Sequence, residues 1–201
     1  MRISEVKDHL AKFRVGIAGA GGLGSNCAVA LARSGIGSLV ISDFDVVEPA
    51  NLNRQYYFIS QIGMLKTIAL KENIARINPD VVVIAHTEKL DRFNIPEIYS
   101  GCDVVVEAFD REEMKEMLIE TIQIIMPGIP VIIGSGVAGW GKNETIRYRK
   151  VDETLYICGD ESTMADDDYP AMAPRVGIVA NMQANTVIEI LMKKTRDYFH
   201  V

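Results

Sequence analysis

Several classes of protein are excluded by what this sequence contains little of. Three of its 201 residues are cysteines, Cys27, Cys102 and Cys158, and no two of them form a Cys-x-x-Cys pair. Cysteines so widely spaced provide neither a disulfide framework nor the four ligands of a structural zinc site. Their small number is typical of a protein from a reducing compartment, so we expect a cytoplasmic protein without zinc.

Positive charge and long apolar runs are also scarce. The formal net charge is −6, and no stripe of lysine and arginine is present that would neutralise the phosphates of a duplex. No apolar run is long enough for a membrane span, and the first five residues do not resemble a signal peptide. We therefore expect neither nucleic acid nor a membrane as a partner. With 48% hydrophobic and 24% charged residues, the chain has the composition of one globular domain, predicted over residues 1–201.

Short apolar runs and helical patterns alternate along the first two thirds of the chain. Strands are predicted at residues 13–18, 38–42, 81–85, 103–108 and 131–134. Helices are predicted at residues 3–11, 22–34, 60–78, 111–126 and 175–194. This alternation is typical of a Rossmann-like α/β fold, with a mainly parallel sheet and helices on both faces.

The last third of the chain follows a different pattern. Residues 144–149 and 153–157 alternate between apolar and polar side chains, which predicts antiparallel strands. Residues 159–173 include three consecutive aspartates and little apolar content. We predict a long mobile loop there.

A glycine turn follows the first predicted strand and opens the first long helix. Gly19, Gly21, Gly22 and Gly24 occur within six residues, and Asp43 follows about 20 residues later, after the second strand. The first three glycines allow a tight bend and close approach of phosphate oxygens, Gly24 allows close packing of helix and sheet, and the helix dipole favours an anion. The aspartate would accept hydrogen bonds from ribose hydroxyls. A glycine turn also occurs without a ligand, but this context favours nucleotide binding.

Polar side chains that suit phosphate groups follow the second strand. Asn51, Arg54 and Gln55 occur in the run Asn-Leu-Asn-Arg-Gln, and Arg54 has a planar donor fork that suits phosphate oxygens. A dinucleotide-dependent dehydrogenase leaves its phosphates to backbone amides. The added side chains therefore indicate chemistry on the phosphates themselves, although a surface role for Arg54 is the alternative.

Lys66 lies on the apolar face of the next predicted helix, one turn before Leu70. A lysine in such a position usually extends its ammonium group to water. Its place near the carboxyl edge of the sheet, where ligands of open α/β folds bind, also allows it to reach a phosphate. We favour the phosphate.

These motifs together resemble the ThiF/MoeB/ubiquitin-activating-enzyme family. The resemblance extends from Val15 through Gln55 and continues at Ile62-Gly63-Met64-Leu65-Lys66, Ile77-Asn78-Pro79, Glu107-Ala108-Phe109-Asp110 and Gln183-Ala184-Asn185. The chain looks most like the short zinc-free ThiF family proteins of thiamine biosynthesis. The resemblance implies an enzyme that binds ATP and adenylates the C-terminal glycine of a ubiquitin-fold sulfur carrier, with release of pyrophosphate. A ThiS-like carrier is the implied partner, and a homodimer is the implied assembly.

The resemblance also implies roles for single residues. Arg54, Lys66 and Asp110 would be the catalytic residues, and Asp110 would hold Mg²⁺ on the ATP phosphates, a role that suits one carboxylate combined with phosphate oxygens. Asp45 is interpreted as a hydrogen-bonding partner for its loop rather than a metal ligand. Adenylation needs charge neutralisation and alignment rather than a protein nucleophile, which agrees with this set.

Two further residues are candidates because the chain departs from its relatives. Some relatives link the activated carrier to a cysteine in a mobile loop, and Cys158, at the entrance of the predicted loop, is the candidate here; an inert core cysteine is the alternative. MoeB-like relatives also contribute an arginine from the N-terminus of the partner subunit, which this shorter N-terminus does not match. Arg175, at the start of the last helix, is hypothesised to hold the carrier tail or a phosphate instead.

Other functions compete with the adenylyltransferase. A MoeB-like enzyme acting on a molybdopterin carrier fits the same residues. An NAD-dependent oxidoreductase would need a general acid or base after Asp110, and the three histidines are scattered. A catalytically idle scaffold is disfavoured by the presence of Arg54, Lys66 and Asp110 together.

Overall fold

A single twisted sheet organises the part of the chain that the structure, a computed structural model, describes, residues 2–194. Its strands are β1 (Arg14–Ala18), β2 (Ser38–Ser42), β3 (Val82–His86), β4 (Val104–Glu107), β5 (Val131–Gly134), β6 (Arg147–Lys150) and β7 (Leu155–Gly159). Their order across the sheet is β3-β2-β1-β4-β5-β7-β6, and every pair is parallel except β6 with β7. The predicted Rossmann-like fold, with antiparallel pairing in the last third, is confirmed.

Helices cover both faces of this sheet. They are α1 (Ile3–Leu10), α2 (Gly22–Ser34), α3 (Lys66–Ile77), α4 (Ile95–Ile98), α5 (Glu112–Ile125) and α6 (Ala173–Lys193). Buried side chains of α2, α3 and α6 belong to one core cluster, and those of α4 and α5 belong to a second cluster that contains Val40 and Val105 from the opposite face. Because both faces are covered, the central strands are apolar almost throughout.

The helix α2 has the bounds that the sequence predicts. It ends at Gly35, which has a φ of +92° and closes the helix in the left-handed conformation that glycine adopts without strain. The final helix α6 also forms as predicted, with Pro174 in its first turn, where the missing N–H is not needed.

The start of α3 differs from the prediction. The helix begins at Lys66 rather than near residue 60, and residues 59–61 form a short 3₁₀ turn instead. The intervening backbone pairs with an earlier segment: the Val47 N–H donates to the Met64 carbonyl at 2.8 Å, and the Gly63 N–H donates to the Val47 carbonyl at 2.8 Å. This long-range pairing prevents residues 62–65 from continuing a helix. The four-residue helix α4 was not predicted.

The predicted mobile loop is shorter than residues 159–173, because Gly159 ends β7 and Ala173 begins α6. Residues 160–172 contain no helix or strand element, although the Gly139 N–H donates to the Pro170 carbonyl at 2.9 Å. Mobility of the segment stays a prediction.

None of the helices found within residues 2–194 combines the length and apolarity that crossing a bilayer requires. The prediction of one domain over residues 1–201 includes Met1 and residues 195–201, which lie outside the described part, and it stays a prediction.

Candidate active site

The glycine turn joins β1 to α2 at the carboxyl edge of the sheet. Gly19 has a φ of +100°, and a Cβ at that position would lie 2.8 Å from the carbonyl oxygen of Ala108. A Cβ on Gly24 would overlap the carbonyl oxygen of Gly19. The start of α2 is therefore packed directly against the ends of β1 and β4, so its free N–H groups face the edge where parallel sheets bind ligands.

Asp43 connects the end of β2 to this turn. Its Oδ2 accepts a hydrogen bond from the Ala20 N–H at 2.7 Å, and its Oδ1 accepts one from the Asp45 N–H at 2.8 Å. Partial burial raises the pKa of Asp43 above its usual range, while the charge of Lys66 and the two N–H donors oppose that shift. The Tyr57 hydroxyl donates to the Ala20 carbonyl at 2.6 Å, which fixes the turn from the other side. The role of Asp43 in holding a ribose stays a prediction.

Arg54 and Gln55 lie against the glycine turn. A Cβ on Gly22 would be 3.5 Å from Cγ of Arg54, and one on Gly21 would be 3.9 Å from Nε2 of Gln55. The Asn26 side chain of α2 donates to the carbonyls of Gly22 at 2.7 Å and Arg54 at 2.9 Å, so it ties the two segments together. The structure thus brings together residues that the sequence separates by about 30 positions.

The side chains of this segment differ in how they are held. Arg54 is half-buried as a residue, and its guanidinium group donates to the Ala50 carbonyl at 3.2 Å and to the Asn53 side chain at 2.8 Å. Gln55 is buried, and its Oε1 has no hydrogen-bond partner among the described residues. Asn51 uses its side-chain oxygen to accept the Glu48 N–H at 2.9 Å, so it shapes the turn that carries Arg54. A contact between Asn51 and a phosphate stays a prediction.

Lys66 is the first residue of α3, and its side chain is only 8% exposed. The ammonium group does not extend to water: it pairs with Oδ2 of Asp45 at 2.8 Å, and the Lys66 N–H donates to the Asp45 carbonyl at 2.9 Å. The side chain of Asp45 is therefore a hydrogen-bonding partner of Lys66 in α3, rather than of its own loop. A continuous chain of contacts connects Lys66 through Asp45 and Asp43 to the Ala20 N–H of the glycine turn.

Asp110 is exposed and follows β4 at the same edge of the sheet. The Ala108 N–H donates to the Ala18 carbonyl at 2.9 Å, and the Phe109 ring lies 3.5 Å from the position of a Cβ on Gly19. Among residues 2–194, no group of three or more His, Cys, Asp or Glu side chains is arranged to hold a metal ion. The donors present fit Mg²⁺ held by one carboxylate together with nucleotide phosphates, and they do not form an all-protein cage.

Cys158 does not lie in the loop that the covalent hypothesis requires. It belongs to β7 opposite Gly134, its side chain is fully buried, and its Sγ is 3.9 Å from the Thr186 hydroxyl. Burial raises the pKa of the Cys158 thiol to about 11, which disfavours the thiolate that a nucleophile needs. The structure therefore favours the alternative of an inert core cysteine, and a covalent link at Cys158 stays an untested hypothesis. Cys27 and Cys102 are core residues, as expected.

Arg175 is also placed differently from its hypothesis. Its side chain is 2% exposed and forms an ion pair with Asp160, whose side chain is equally buried. The guanidinium group also donates to the Gly141 carbonyl at 2.7 Å and the Thr145 hydroxyl at 3.1 Å. With these partners the group joins the start of α6 to the preceding segments, and it is not free to hold a carrier tail or a phosphate.

The sequence reasoning missed one charged pair beside Asp110. Glu107 is fully buried at the end of β4, and Lys115 of α5 pairs with its carboxylate at 2.7 Å. Burial raises the pKa of Glu107, and the charge of Lys115 opposes the shift. A glutamate that ends an apolar run of three valines was a usable signal, because a buried carboxylate requires a partner.

The sheet order, the glycine turn and the acid after β2 define a Rossmann-like nucleotide-binding fold with added cationic side chains. The sequence profile of the ThiF family matches residues 3–200, so the chain belongs to the ThiF family.

Named relatives of this chain are adenylyltransferases. It is 31% identical over 192 residues to the Adenylyltransferase and sulfurtransferase MOCS3 of Caenorhabditis briggsae, covering 92% of this chain and 47% of that protein. It is 28% identical over 192 residues to the molybdopterin-synthase adenylyltransferase of Salmonella typhimurium, covering 93% of this chain and 76% of that protein. The chain thus spans about half the length of the first of these relatives.

Solved structures share the fold. E. coli tRNA N6-threonylcarbamoyladenosine dehydratase, TcdA, in complex with ATP has a TM-score of 0.84 and 20% identity, covering 94% of this chain and 89% of that one. E. coli MccB with MccA-N7isoASN has a TM-score of 0.72 and 23% identity, covering 97% of this chain and 61% of the MccB chain. At these identities the likeness shows the fold alone.

Proposed function

We propose that this protein is an ATP-dependent adenylyltransferase that activates the C-terminal glycine carboxylate of a ubiquitin-fold sulfur carrier. The observation that supports it most is a pair of cationic residues beside the glycine turn: the aliphatic stem of Arg54 packs on Gly22, and Lys66 is connected to the turn through Asp45 and Asp43. A dehydrogenase has no need of a buried lysine and a neighbouring arginine there. The names of the relatives point to the same chemistry.

The residues have the following roles in this proposal. The glycine turn and the N-terminus of α2 hold the phosphates, and Asp43 accepts hydrogen bonds from the ribose hydroxyls. Arg54, with Gln55 beside it, and Lys66 neutralise the phosphate oxygens, so that an anionic carboxylate can approach the α-phosphorus. A bond forms between a carboxylate oxygen and that phosphorus as its bond to the bridging oxygen breaks, and pyrophosphate leaves.

Asp110 would hold Mg²⁺ against the phosphates. When bound, the ion supplies charge that stabilises the departing pyrophosphate. Asp110 is exposed and three residues beyond the end of β4, so the carboxylate can face a nucleotide that occupies the turn.

Two carriers are candidates. A ThiS-like carrier, and hence a role in thiamine biosynthesis, comes from the resemblance of the short zinc-free sequence to ThiF proteins. A molybdopterin-synthase carrier is favoured by the Salmonella relative, of which this chain covers 76%. The proposal includes a cytoplasmic location and a homodimer, the latter testable by light scattering of the purified protein. The comparisons lend no support to the nicotinamide-dependent alternative.

The direct test mixes the purified protein with Mg·ATP and each candidate carrier, followed by mass spectrometry of the carrier. The proposal requires an added AMP on one carrier, and removal of the carrier's terminal glycine should abolish it. The converse result is that neither carrier gains mass while ATP remains intact. A molybdopterin-synthase carrier modified in preference to a ThiS-like one would assign the protein to the molybdopterin route.

A further inference from the structure

We propose that Glu107, whose buried carboxylate is held by Lys115, is a positioning residue that fixes the turn presenting Asp110, and so determines how strongly Mg²⁺ supports nucleotide binding. This inference rests on the proposed function, because it assumes that Asp110 faces the phosphates. Neither residue touches the nucleotide in this account. They act through the backbone between β4 and α5.

The contacts place this pair directly behind Asp110. One carboxylate oxygen of Glu107, Oε1, accepts the Phe109 N–H at 2.6 Å, and Phe109 immediately precedes Asp110. Lys115 Nζ donates to Oε1 at 3.0 Å and to Oε2 at 2.7 Å. The carboxylate thus holds the turn on one side and the first part of α5 on the other.

The same ammonium group reaches the neighbouring strand. Lys115 Nζ donates to the Gly134 carbonyl at 2.9 Å, at the end of β5. Gln183 of α6 donates to the Glu107 carbonyl at 2.9 Å and to the Ile132 carbonyl at 3.3 Å. The ends of β4 and β5 and two helices are therefore connected at the position from which Asp110 projects.

Burial makes these contacts hard to release. The Glu107 side chain is 0% exposed and that of Lys115 is 19% exposed. A buried carboxylate without its cation is costly, so the pair keeps α5 and the turn in one arrangement. A packed apolar pair of similar volume often replaces a buried ion pair without loss of stability, but it cannot accept the Phe109 N–H.

This difference separates a positioning role from a purely structural one. The double variant Glu107→Met with Lys115→Met keeps the volume and loses the acceptor for Phe109. The matched variant Glu107→Gln with Lys115→Met removes the charges equally but keeps an acceptor oxygen. Both leave the Gly134 carbonyl without Lys115, and they are designed to differ in whether the side chain at position 107 can accept the Phe109 N–H. The exposed ion pair between Glu120 of α5 and Arg92, which precedes α4, provides a control when both are changed to Met.

The measurement is ATP binding by titration calorimetry, with and without Mg²⁺, on proteins shown to be folded by circular dichroism. For the double Met variant we expect an ATP affinity close to that of wild type when Mg²⁺ is absent. The factor by which Mg²⁺ increases ATP affinity should be about tenfold smaller than in wild type, which is the scale typical of partners that orient a metal ligand. The matched variant that carries Glu107→Gln and the surface control should keep most of that gain. Should the double Met variant not fold, Glu107→Asp serves, because its shorter carboxylate keeps the charge but retreats from the Phe109 N–H.

The outcomes are distinguishable. A folded double Met variant, or a folded Glu107→Asp variant, with the full gain from Mg²⁺ overturns this inference and leaves the proposed function intact. Equal losses in the Met and Gln variants also overturn it, because the hydrogen bond would then not matter. A wild-type protein that binds no Mg·ATP overturns the proposed function and this inference with it.

Discussion

The ammonium group of Lys66 lies 2.8 Å from Oδ2 of Asp45, in a position where the lysine is buried and the aspartate is about half exposed. The partner is thus the side chain that can move away, while the cation stays fixed at the start of α3. Because Asp45 also holds Asp43 through its N–H, the positive charge is kept beside the glycine turn. An incoming phosphate would replace Asp45 as the partner of the Lys66 ammonium group, which is already in place.

Replacement of Lys66 by Ala should reduce carrier-dependent ATP–pyrophosphate exchange by about 100-fold or more, the scale of a lost donor to developing charge. The protein should remain folded, because the Asp45 carboxylate left behind is exposed to water. Lys71→Ala, on the exposed side of the same helix, is the matched control. Near-normal exchange by the Lys66 variant, at the activity of the Lys71 control, would remove Lys66 from the mechanism.

Substitutions of Arg54 test the second cationic residue of the same site. Arg54→Lys keeps the charge but loses the planar donor fork, so we expect exchange to fall by about tenfold or more, with a larger loss in Arg54→Ala. The comparison is Arg33→Ala, an exposed arginine near the end of α2. If Arg54→Lys matches wild type in kcat and KM, charge alone suffices and the bidentate role is wrong.

Replacement of Gly24 and of Gly177 by alanine should have opposite effects on the free energy of unfolding. In Gly24→Ala the new Cβ would overlap the Gly19 carbonyl, so the start of α2 must shift; we expect a loss of about 1–3 kcal/mol in unfolding free energy and weaker ATP binding. In Gly177→Ala, inside α6, nothing lies within 4 Å of the new Cβ, and we expect a gain of about 0.5–1 kcal/mol. Urea unfolding of both variants checks the signs. Equal effects would show that the packing at Gly24 is not as tight as described.

Protonation of Asp160 should lower the free energy of unfolding at acidic pH. Its burial acts to raise the pKa, but N–H groups of Thr163 and Ser162, the Thr163 hydroxyl and Arg175 outweigh burial and lower the pKa of Asp160 from 3.8 to about 2. Because the pKa of Asp160 is lower in the folded state, its ionisation contributes about 2 kcal/mol to the free energy of unfolding. This contribution is fully present above about pH 4 and is lost as the pH falls towards 2.

The variant Asp160→Asn isolates this contribution. It leaves Arg175 as a buried cation with no carboxylate, so we expect a loss of about 3–5 kcal/mol at pH 7 and a smaller difference from wild type below pH 4. Urea unfolding between pH 2 and pH 7 measures both, with exposed Asp167→Asn as the comparison. A difference that does not change with pH would exclude Asp160 as the titrating group.

What the sequence could and could not predict follows from how local each feature is. The glycine turn, the helix α2 and the closing Gly35 were predicted because each depends on a few neighbouring residues. The pattern predicts the start of α3 too early, because backbone pairing of residues 63 and 64 with Val47, earlier in the chain, determines where the helix begins. The partners of Arg175 and the burial of Cys158 depend on how strands and helices pack. No local pattern encodes that packing.

The candidate site divides in the same way. The motif placed Asp43, Arg54 and Lys66 at one edge of the sheet, and the structure brings them around one turn. The pairing of Glu107 with Lys115 joins residues eight positions apart through the geometry of β4 and α5. Periodicity predicts both elements but not their relative orientation, so this pair emerges only from the fold.

In the proposed function, the cationic side chains of Arg54 and Lys66 beside the glycine turn hold the triphosphate of ATP. A crystal structure of the protein with Mg²⁺ and a non-hydrolysable ATP analogue tests it most directly. In that structure we expect Arg54 and Lys66 to donate to phosphate oxygens, Lys66 to have left Asp45, and Asp110 to ligate the metal. A nucleotide bound with the guanidinium and ammonium groups turned away from the phosphates would contradict it.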